Sequence, residues 1–253
     1  MRLKDKVAII TGAGRGIGRA YALGFTEEGA RVVVAEIILE NAQKVAKEIE
    51  AKGGTALALR TDVGDEASVL ELAEKTVERF GTIDILVNNA AIYYGMGWRP
   101  WDSWTKAEWD KILAVNVTGS WLCAKAVAPH MIAKNKGKII NISSTTFQHG
   151  FPAHLPYTCS KAAIVALTRT LAFALGRYNI NVNCIIPGYT MSEASREMPG
   201  ATAKGMEQVV KLRCLRRDEQ PEDLVGAAIF LASEESDFIT GQGIIVDGGA
   251  TFQ

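Results

Sequence analysis

Tyr157-Thr158-Cys159-Ser160-Lys161 sets a phenol and an ammonium four residues apart. On a helix, positions i and i+4 share one face, so the two groups can meet. A cation beside a phenol favours the phenolate and draws the tyrosine pKa towards working pH, which makes Tyr157 a candidate general acid–base. Ser143-Ser144 adds hydroxyls that could hydrogen-bond a reacting oxygen. Tyr-x-x-x-Lys is common by chance, so its weight depends on the elements that would position it.

A second constellation is Thr11-Gly12-Ala13-Gly14-Arg15-Gly16-Ile17-Gly18. Glycines here let the backbone turn sharply and approach a pyrophosphate, which then meets N–H groups at a helix start. The loop lies between a predicted strand and a predicted helix, the context such a loop requires. Glu36 follows Gly18 by 18 residues, at the end of the second predicted strand. A carboxylate there can accept hydrogen bonds from adenosine ribose hydroxyls and would repel a 2′-phosphate. Ile37 follows it and offers no compensating charge. NAD is therefore the expected cofactor, although Arg15 could reach a 2′-phosphate.

The elements around these residues alternate. Strands are expected at Lys6–Thr11, Arg31–Glu36, Thr55–Thr61, Ile83–Val87, Lys138–Ile142, Asn181–Ile186 and Gly243–Val246. Helices are expected at Gly16–Glu28, Leu39–Lys52, Glu66–Phe80, Lys106–Asn135, Tyr157–Tyr178 and Glu222–Ala232. Strands apolar throughout require cover on both faces, as in a parallel sheet. Repeated strand–helix units give an α/β, Rossmann-type doubly wound sheet of about seven strands. No linker divides residues 1–253, so one domain is expected to hold both cofactor and catalytic groups. Residues 189–217 break the alternation; long irregular insertions of this kind often serve as lids over a substrate.

In this order, several short motifs together resemble the short-chain dehydrogenase/reductase family over essentially the whole chain. They are Thr11–Gly18, Asp62-Val63, Asn88-Asn89-Ala90-Ala91, Asn116, Ser144, Tyr157 with Lys161, Pro187-Gly188, and Gly241 through Asp247-Gly248-Gly249. The family's catalytic serine lies 13 residues before its tyrosine, which selects Ser144 over Ser143. The resemblance implies catalysis by Asn116, Ser144, Tyr157 and Lys161, with Lys161 also on the nicotinamide ribose. Asn116 would hold a water linking Lys161 to solvent; its residue-level alternative is a polar residue that bends the helix. For the cofactor, the resemblance adds Asp62 and Val63 near the adenine, and Asn89 and Ala90 by the adenosine-side ribose. Pro187, Gly188, Thr190 and Ser192 would lie at the nicotinamide. Taken alone, Asp62 could equally be a strand-end cap. Ala91 and Ser192 depart from the family pattern, which usually has glycine and threonine there. The resemblance also implies a homotetramer.

A pocket can be sketched from what surrounds these groups. Four of the five tryptophans fall between Trp98 and Trp109, after Tyr93 and Tyr94. Thr146, Phe147, Phe151 and His154 lie between Ser144 and Tyr157, and Met191 and Met198 in the lid. This apolar, aromatic set suits a hydrophobic or aromatic secondary alcohol or ketone. Ile142–Phe147 with Tyr93 looks similar to aromatic secondary-alcohol dehydrogenases of the same family. Trp104 and Trp109 could instead pack the helix onto the body or a neighbouring subunit. His149 and His154 could be solvated loop residues, and Arg99, Arg196 and Arg213 a solvated face.

Composition narrows the partners. Lys plus Arg and Asp plus Glu are both 28, which gives no bulk field for nucleic acid or an anionic membrane. No uninterrupted apolar stretch reaches the length of a membrane span. Cys123, Cys159, Cys184 and Cys214 show no metal-ligand or Cys-x-x-Cys spacing, and no signal-peptide pattern precedes Val7, so reduced thiols in a cytoplasm are expected. Hence the expected partner is a small-molecule substrate. Two other readings remain: an NADPH-linked 3-ketoacyl-thioester reductase, and a non-catalytic NAD-binding regulator.

Overall fold

Apolar strands need cover on both faces, and the alternation of elements supplies it. The computed structural model describes residues 1–93, 95–97, 99–150, 154–197 and 203–252, leaving out the side chains of 203–206. The strands are β1 (Val7–Thr11), β2 (Arg31–Glu36), β3 (Thr55–Arg60), β4 (Ile85–Asn88), β5 (Gly137–Ile142), β6 (Ile180–Pro187) and β7 (Gly243–Val246). They form one sheet in the order β3-β2-β1-β4-β5-β6-β7, every pair parallel. This is the expected doubly wound architecture.

Successive side chains of a strand point to opposite faces. Accordingly Ala8 and Ile10 join Val32, Val34, Tyr21, Phe25 and Ile229 in one core layer. Val7 and Ile9 join Val33, Leu86, Leu122 and Ile139 in the other. Helices α1 (Gly16–Glu27), α2 (Leu39–Ala51) and α10 (Val225–Ala232) cover the first face. Helices α3 (Glu66–Phe80) and α5 (Gly119–Ala133) cover the second, joined there by the C-terminal part of α7 (Leu155–Leu175). Each fully buried Ile, Leu or Phe contributes about 1.5–3 kcal/mol relative to leaving it in water. The edge strands β3 and β7 are only half-buried, so the expectation of strands covered on both faces holds for the inner five.

Several boundaries differ from expectation for local reasons. The long helix begins at Lys106 as expected, where Thr105 and Glu108 form a capping box, but its course differs. After α4 (Lys106–Leu113) it widens into a π turn, Ala114–Thr118, before continuing as α5. A π turn is an α-helix with one extra residue looped out, a feature frequent at functional sites. It places Asn116 inward, buried. Between β5 and α7 stands a four-residue helix, α6 (Thr146–His149), where the sequence predicted none. Residues 189–217 contain α8 (Glu193–Arg196) and α9 (Ala203–Leu212). A parallel bridge from Thr190 to Glu219 ties the start of this excursion to the chain just past its end.

By length and hydropathy alone, Lys106–Ala133 and Leu155–Tyr178 could each cross a membrane. The most apolar stretch of the first is 56% buried in the protein, that of the second 28%. The sequence criterion of an uninterrupted apolar run missed both, because lysines and small polar residues punctuate them.

Sheet order reverses between β1 and β4, the two strands that flank the switch point. In open α/β sheets ligands bind beyond the carboxyl ends of the strands at such a point. Thr11–Gly18, Asn88–Ala90, Ser143-Ser144 and Pro187-Gly188 all lie at or just past those ends.

Candidate active site

The glycine-rich loop is closed by contacts that leave no room for side chains. Gly12 takes φ +61°, and a Cβ there would lie 2.8 Å from the Ala90 Cα. A Cβ on Gly18 would lie 2.3 Å from the Gly12 carbonyl and 2.6 Å from the Asn89 amide. Asn89 braces the turn: its Nδ2 donates to the Thr11 and Gly12 carbonyls at 2.9 and 3.1 Å. The N–H groups of Asn89 and Ala90 both donate to the Thr11 hydroxyl. Thus Asn89, expected at the adenosine-side ribose, uses its side-chain amide to shape the loop. Gly16, Ile17 and Gly18 open α1. Arg15 precedes them, with an exposed side chain.

Glu36 closes the outer end of the same cleft. Its Oε2 accepts the Gly14 N–H at 3.1 Å, and its Oε1 accepts the Ile37 and Ile38 N–H groups at 3.0 and 3.3 Å. The half-buried carboxylate is therefore fixed by three backbone N–H groups at the rim of the glycine loop. Asp62 lies past β3, where its Oδ1 accepts the Gly64 N–H at 2.9 Å, while the cap of α3 is Asp65. Val63 is buried against Gly119 at the start of α5.

Ser144, Tyr157 and Lys161 come together beyond β5, all buried. The Ser143 hydroxyl is taken, donating to the Lys161 carbonyl at 2.7 Å. Ser144 Oγ accepts the Thr146 N–H at 3.3 Å and hydrogen-bonds the Tyr157 phenol. Geometry thus separates the two serines in favour of Ser144. Lys161 Nζ donates to the Ile142 carbonyl at 2.8 Å and lies 5.5 Å from the centre of the Tyr157 ring.

The electrostatics of the protein groups run opposite to expectation. Burial pushes the Tyr157 phenol up to about 12, with the Ser144 hydrogen bond pulling it back. Burial also pulls the Lys161 ammonium down to about 8. Both groups leave water, so desolvation is the dominant cause for each.

Asn116 ties three elements. Its Oδ1 accepts the Ile92 N–H at 2.7 Å, and its Nδ2 donates to Ser160 Oγ at 3.0 Å and the Ile92 carbonyl at 3.3 Å. Ser160 Oγ in turn donates to the Tyr157 carbonyl at 2.6 Å. The Asn116 side chain thereby locks the first turn of α7 to the exit of β4. Sequence reasoning missed a second buried amide tie. Asn88 Nδ2 donates to Asn141 Oδ1 at 2.9 Å, and Asn141 Nδ2 to Thr168 Oγ1 at 2.9 Å. Two asparagines in adjacent strands, Asn88 paired with Asn141 in register, were its sequence signal.

The expected pocket residues divide. Tyr93 stacks on Tyr157 with ring centres 4.9 Å apart and on His154 at 5.8 Å. Met96, Ile112, Ile92 and Trp104 pack on the same cluster. Trp104 is therefore part of the wall behind Tyr157. Arg99, with its guanidinium 3.9 Å from the Trp104 ring centre, pairs with Glu108 at 2.7 Å, so it is a structural clamp. His154 is buried, not solvated; burial lowers its pKa against a hydrogen bond with the Gly97 backbone. Phe147, half-buried, packs one side onto Ile164, Cys184 and Ile186. Thr146 opens α6, half-buried, and Met191 is half-buried beside Ser192. Tyr94, Trp98, Phe151 and Met198 lie outside the described residues.

Pro187 ends β6, and its carbonyl accepts the Thr145 N–H at 2.9 Å. Thr190 Oγ1 donates to Glu219 at 2.7 Å, and Ser192 caps α8 by accepting the Ser195 N–H at 3.3 Å. Both hydroxyls expected at the nicotinamide thus have protein partners.

A nucleotide cradle at the switch point and a Ser–Tyr–Lys cluster beside it define a dinucleotide-dependent oxidoreductase class, and relatives agree. The model of a family described as enoyl-(acyl carrier protein) reductase matches residues 12–251. A sorbitol dehydrogenase of Cereibacter sphaeroides is 41% identical, over 98% of this chain and 98% of that protein. The (2S)-[(R)-hydroxy(phenyl)methyl]succinyl-CoA dehydrogenase subunit BbsD of Thauera aromatica is 36% identical, over 98% of each. A solved 7α-hydroxysteroid dehydrogenase, complexed with NADH and 7-oxo glycochenodeoxycholic acid, superposes with a TM-score of 0.93 at 37% identity, covering 98% of this chain and 95% of that one. The chain belongs to the short-chain dehydrogenase/reductase family.

Proposed function

We propose that this chain is an NAD-dependent oxidoreductase that moves hydride between NAD(H) and a hydrophobic or aromatic secondary alcohol or its ketone. The observation that carries it is the buried Ser144–Tyr157–Lys161 cluster at the strand ends, beside a glycine loop whose Gly14 N–H is held by Glu36. The cradle fits a dinucleotide, since its turn closes so tightly on the Ala90 backbone and the Gly12 carbonyl that only glycine is admitted at Gly12 and Gly18, which leaves the loop backbone free to approach a pyrophosphate. Glu36, Asp62, the Gly12–Gly18 loop, Asn89 and Gly188–Ser192 would hold the cofactor, and NAD when bound accepts or supplies the hydride. Tyr157 gives a proton to the ketone oxygen, or takes one from the alcohol. Ser144 hydrogen-bonds that oxygen and stabilises the charge that develops on it.

Glu36 favours NAD, because its carboxylate would repel a 2′-phosphate. Tyr93, Met96 and Trp104 around Tyr157 favour a flat, apolar substrate group. The aryl and steroid relatives accord with that; the sorbitol relative marks polyols as the contrast. One test covers both choices: NADH absorbance at 340 nm with NAD or NADP against aryl alcohols, polyols, hydroxy acids and sugars. NAD-linked turnover of aryl or other bulky apolar alcohols is expected. Turnover of polyols or sugars alone would discard the apolar pocket. A 3-oxoacyl-[acyl-carrier-protein] reductase of Thermotoga maritima, 36% identical over 98% of this chain, favours a second reading, an NADPH-linked 3-ketoacyl-thioester reductase. A preference for NADPH and 3-ketoacyl thioesters would establish it.

The working assembly is a homotetramer, supported by the apolar outer face of α7, where Phe173 is 94% exposed. Residues 189–217 act as the substrate lid. The enzyme works in a cytoplasm, without membrane or nucleic acid.

A further inference from the structure

Beneath the Gly188–Ser192 segment lie two charged residues that the reaction does not use. Glu219 and Arg213 are 4% and 2% exposed. Glu219 meets the segment at three residues, Gly188, Thr190 and Met191. Its Oε1 accepts the Thr190 hydroxyl at 2.7 Å, and its carbonyl accepts the Met191 N–H at 2.8 Å. Its Oε2 lies so close to Gly188 that a Cβ there would be 2.7 Å away. Arg213 completes the grip, with Nη2 donating to the Tyr189 carbonyl at 2.7 Å and Nη1 to the Arg217 carbonyl at 3.0 Å. Its Nη2 lies 3.5 Å from Glu219 Oε2, an ion pair without a tight hydrogen bond. One carboxylate and one guanidinium therefore pin both feet of the lid segment.

We propose that Glu219, paired with Arg213, is a positioning residue that holds Gly188–Met191 in the geometry that binds the nicotinamide half of the cofactor, and that protonating Glu219 loosens that hold. The proposal rests on the NAD reading above. An ionised Glu219 accepts from Thr190 and balances Arg213. A protonated one loses the charge attraction and turns one acceptor into a donor. The groups that face it are Arg213, Arg217, Asp247, Asp223 and the buried Tyr21 phenol. Burial raises its pKa to about 7, opposed by Thr190 and Arg213 and assisted by Asp247 and Asp223. Protons reach it through a cleft of ≈ 210 Å³ that it lines with Arg213, Arg217 and Asp223.

The test is NADH binding without substrate, followed by protein fluorescence from about pH 6 to 8.5, in wild type and Glu219→Gln. Glutamine can still accept from Thr190 but cannot balance Arg213. The wild-type Kd is expected to rise about tenfold towards pH 6, the scale of one lost charged hydrogen bond, with its midpoint near pH 7. Glu219→Gln should bind weakly, as acidified wild type does, with that inflection gone. Lys161 titrates alike in both proteins, so the comparison removes its contribution. The same pH profile in both proteins would overturn the role of Glu219. So would a wild-type curve without an inflection near pH 7, which decides the matter even if the variant fails to fold. A preference for NADPH would instead sink the cofactor reading, and the same comparison run with NADPH would still decide the role of Glu219.

Discussion

At the residue scale, the catalytic cluster is two ionisable groups held away from water. The phenol of Tyr157 is pushed up to about 12, so it is a neutral acid at pH 7, ready to protonate a ketone oxygen. In alcohol oxidation it must first lose its proton, so oxidation should accelerate as pH rises from 7 to 10 while reduction does not. Stopped assays in both directions would show this, and matching profiles would remove Tyr157 from the role. Tyr157→Phe should lower turnover at least about a thousandfold yet leave the NADH Kd within about twofold, because it deletes only a proton donor. Near-normal turnover would overturn the assignment. Lys161 makes a thermodynamic prediction. Its folded pKa, about 8, lies below the unfolded value of 10.5, so the stability it withholds below pH 8 returns only as pH rises through that window. The difference is worth about 3 kcal/mol at pH 7. Lys161→Met should therefore abolish turnover yet raise Tm at pH 7, by up to about 6–12 °C at about 2–4 °C per kcal/mol for a chain this size, less what the lost Ile142 hydrogen bond costs. The gain should shrink at pH 10. A lower Tm at pH 7 would mean the Ile142 hydrogen bond outweighs desolvation.

At the element scale, the π turn in the long helix is the device that brings Asn116 to Ile92 and Ser160. Asn116→Leu would leave the Ile92 N–H and Ser160 Oγ without their partner in a buried place, a loss of about 2–4 kcal/mol. Urea denaturation should show that loss, and turnover should fall with it, since Ser160 holds the turn that carries Tyr157. Unchanged stability would mean water replaces the amide at no cost. This element also marks the limit of what sequence could say. The alternation of apolar runs was enough for seven strands and their order of appearance, because burial on both faces leaves a plain signature. The cradle and the Tyr157–Lys161 pair were legible because chemistry needs those residue types at those spacings. The π turn was not, since one extra residue in a helix changes no hydrophobic period. Nor was the packing of Phe147 or the burial of His154, because an aromatic residue near a site looks the same in sequence whether it faces substrate or core. The Arg213–Glu219 pair was hidden by its spacing, which follows neither a helix nor a strand period.

At the scale of the whole molecule, the surface is less finished than the core. Helix α7 carries the catalytic tyrosine at one end and an uncovered apolar face along its length, with only 28% of its most apolar stretch buried. Phe173 stands 94% exposed on it, and Trp121 on α5 is 44% exposed. A lone exposed apolar side chain is ordinary, but Phe173 stands beside the exposed Ala162, Ala166 and Ala174, small residues that would let a second helix approach. Covering one phenylalanine is worth about 1.5–3 kcal/mol per subunit, and symmetry multiplies the effect. The C-terminus adds a second uncovered point. Asp247 fixes Thr251 at 2.6 Å, while Phe252 next to it is 82% exposed. If α7 packs against its copy, the assembly also steadies the helix that positions Tyr157 and Lys161, and loss of the interface should lower activity as well as mass. Light scattering should give a wild-type mass four times that of the chain at micromolar concentration. Phe173→Glu should give a smaller species with native far-ultraviolet dichroism and reduced turnover. A wild-type monomer with full activity would leave the exposed face of α7 for some other partner and would detach the catalytic site from any assembly.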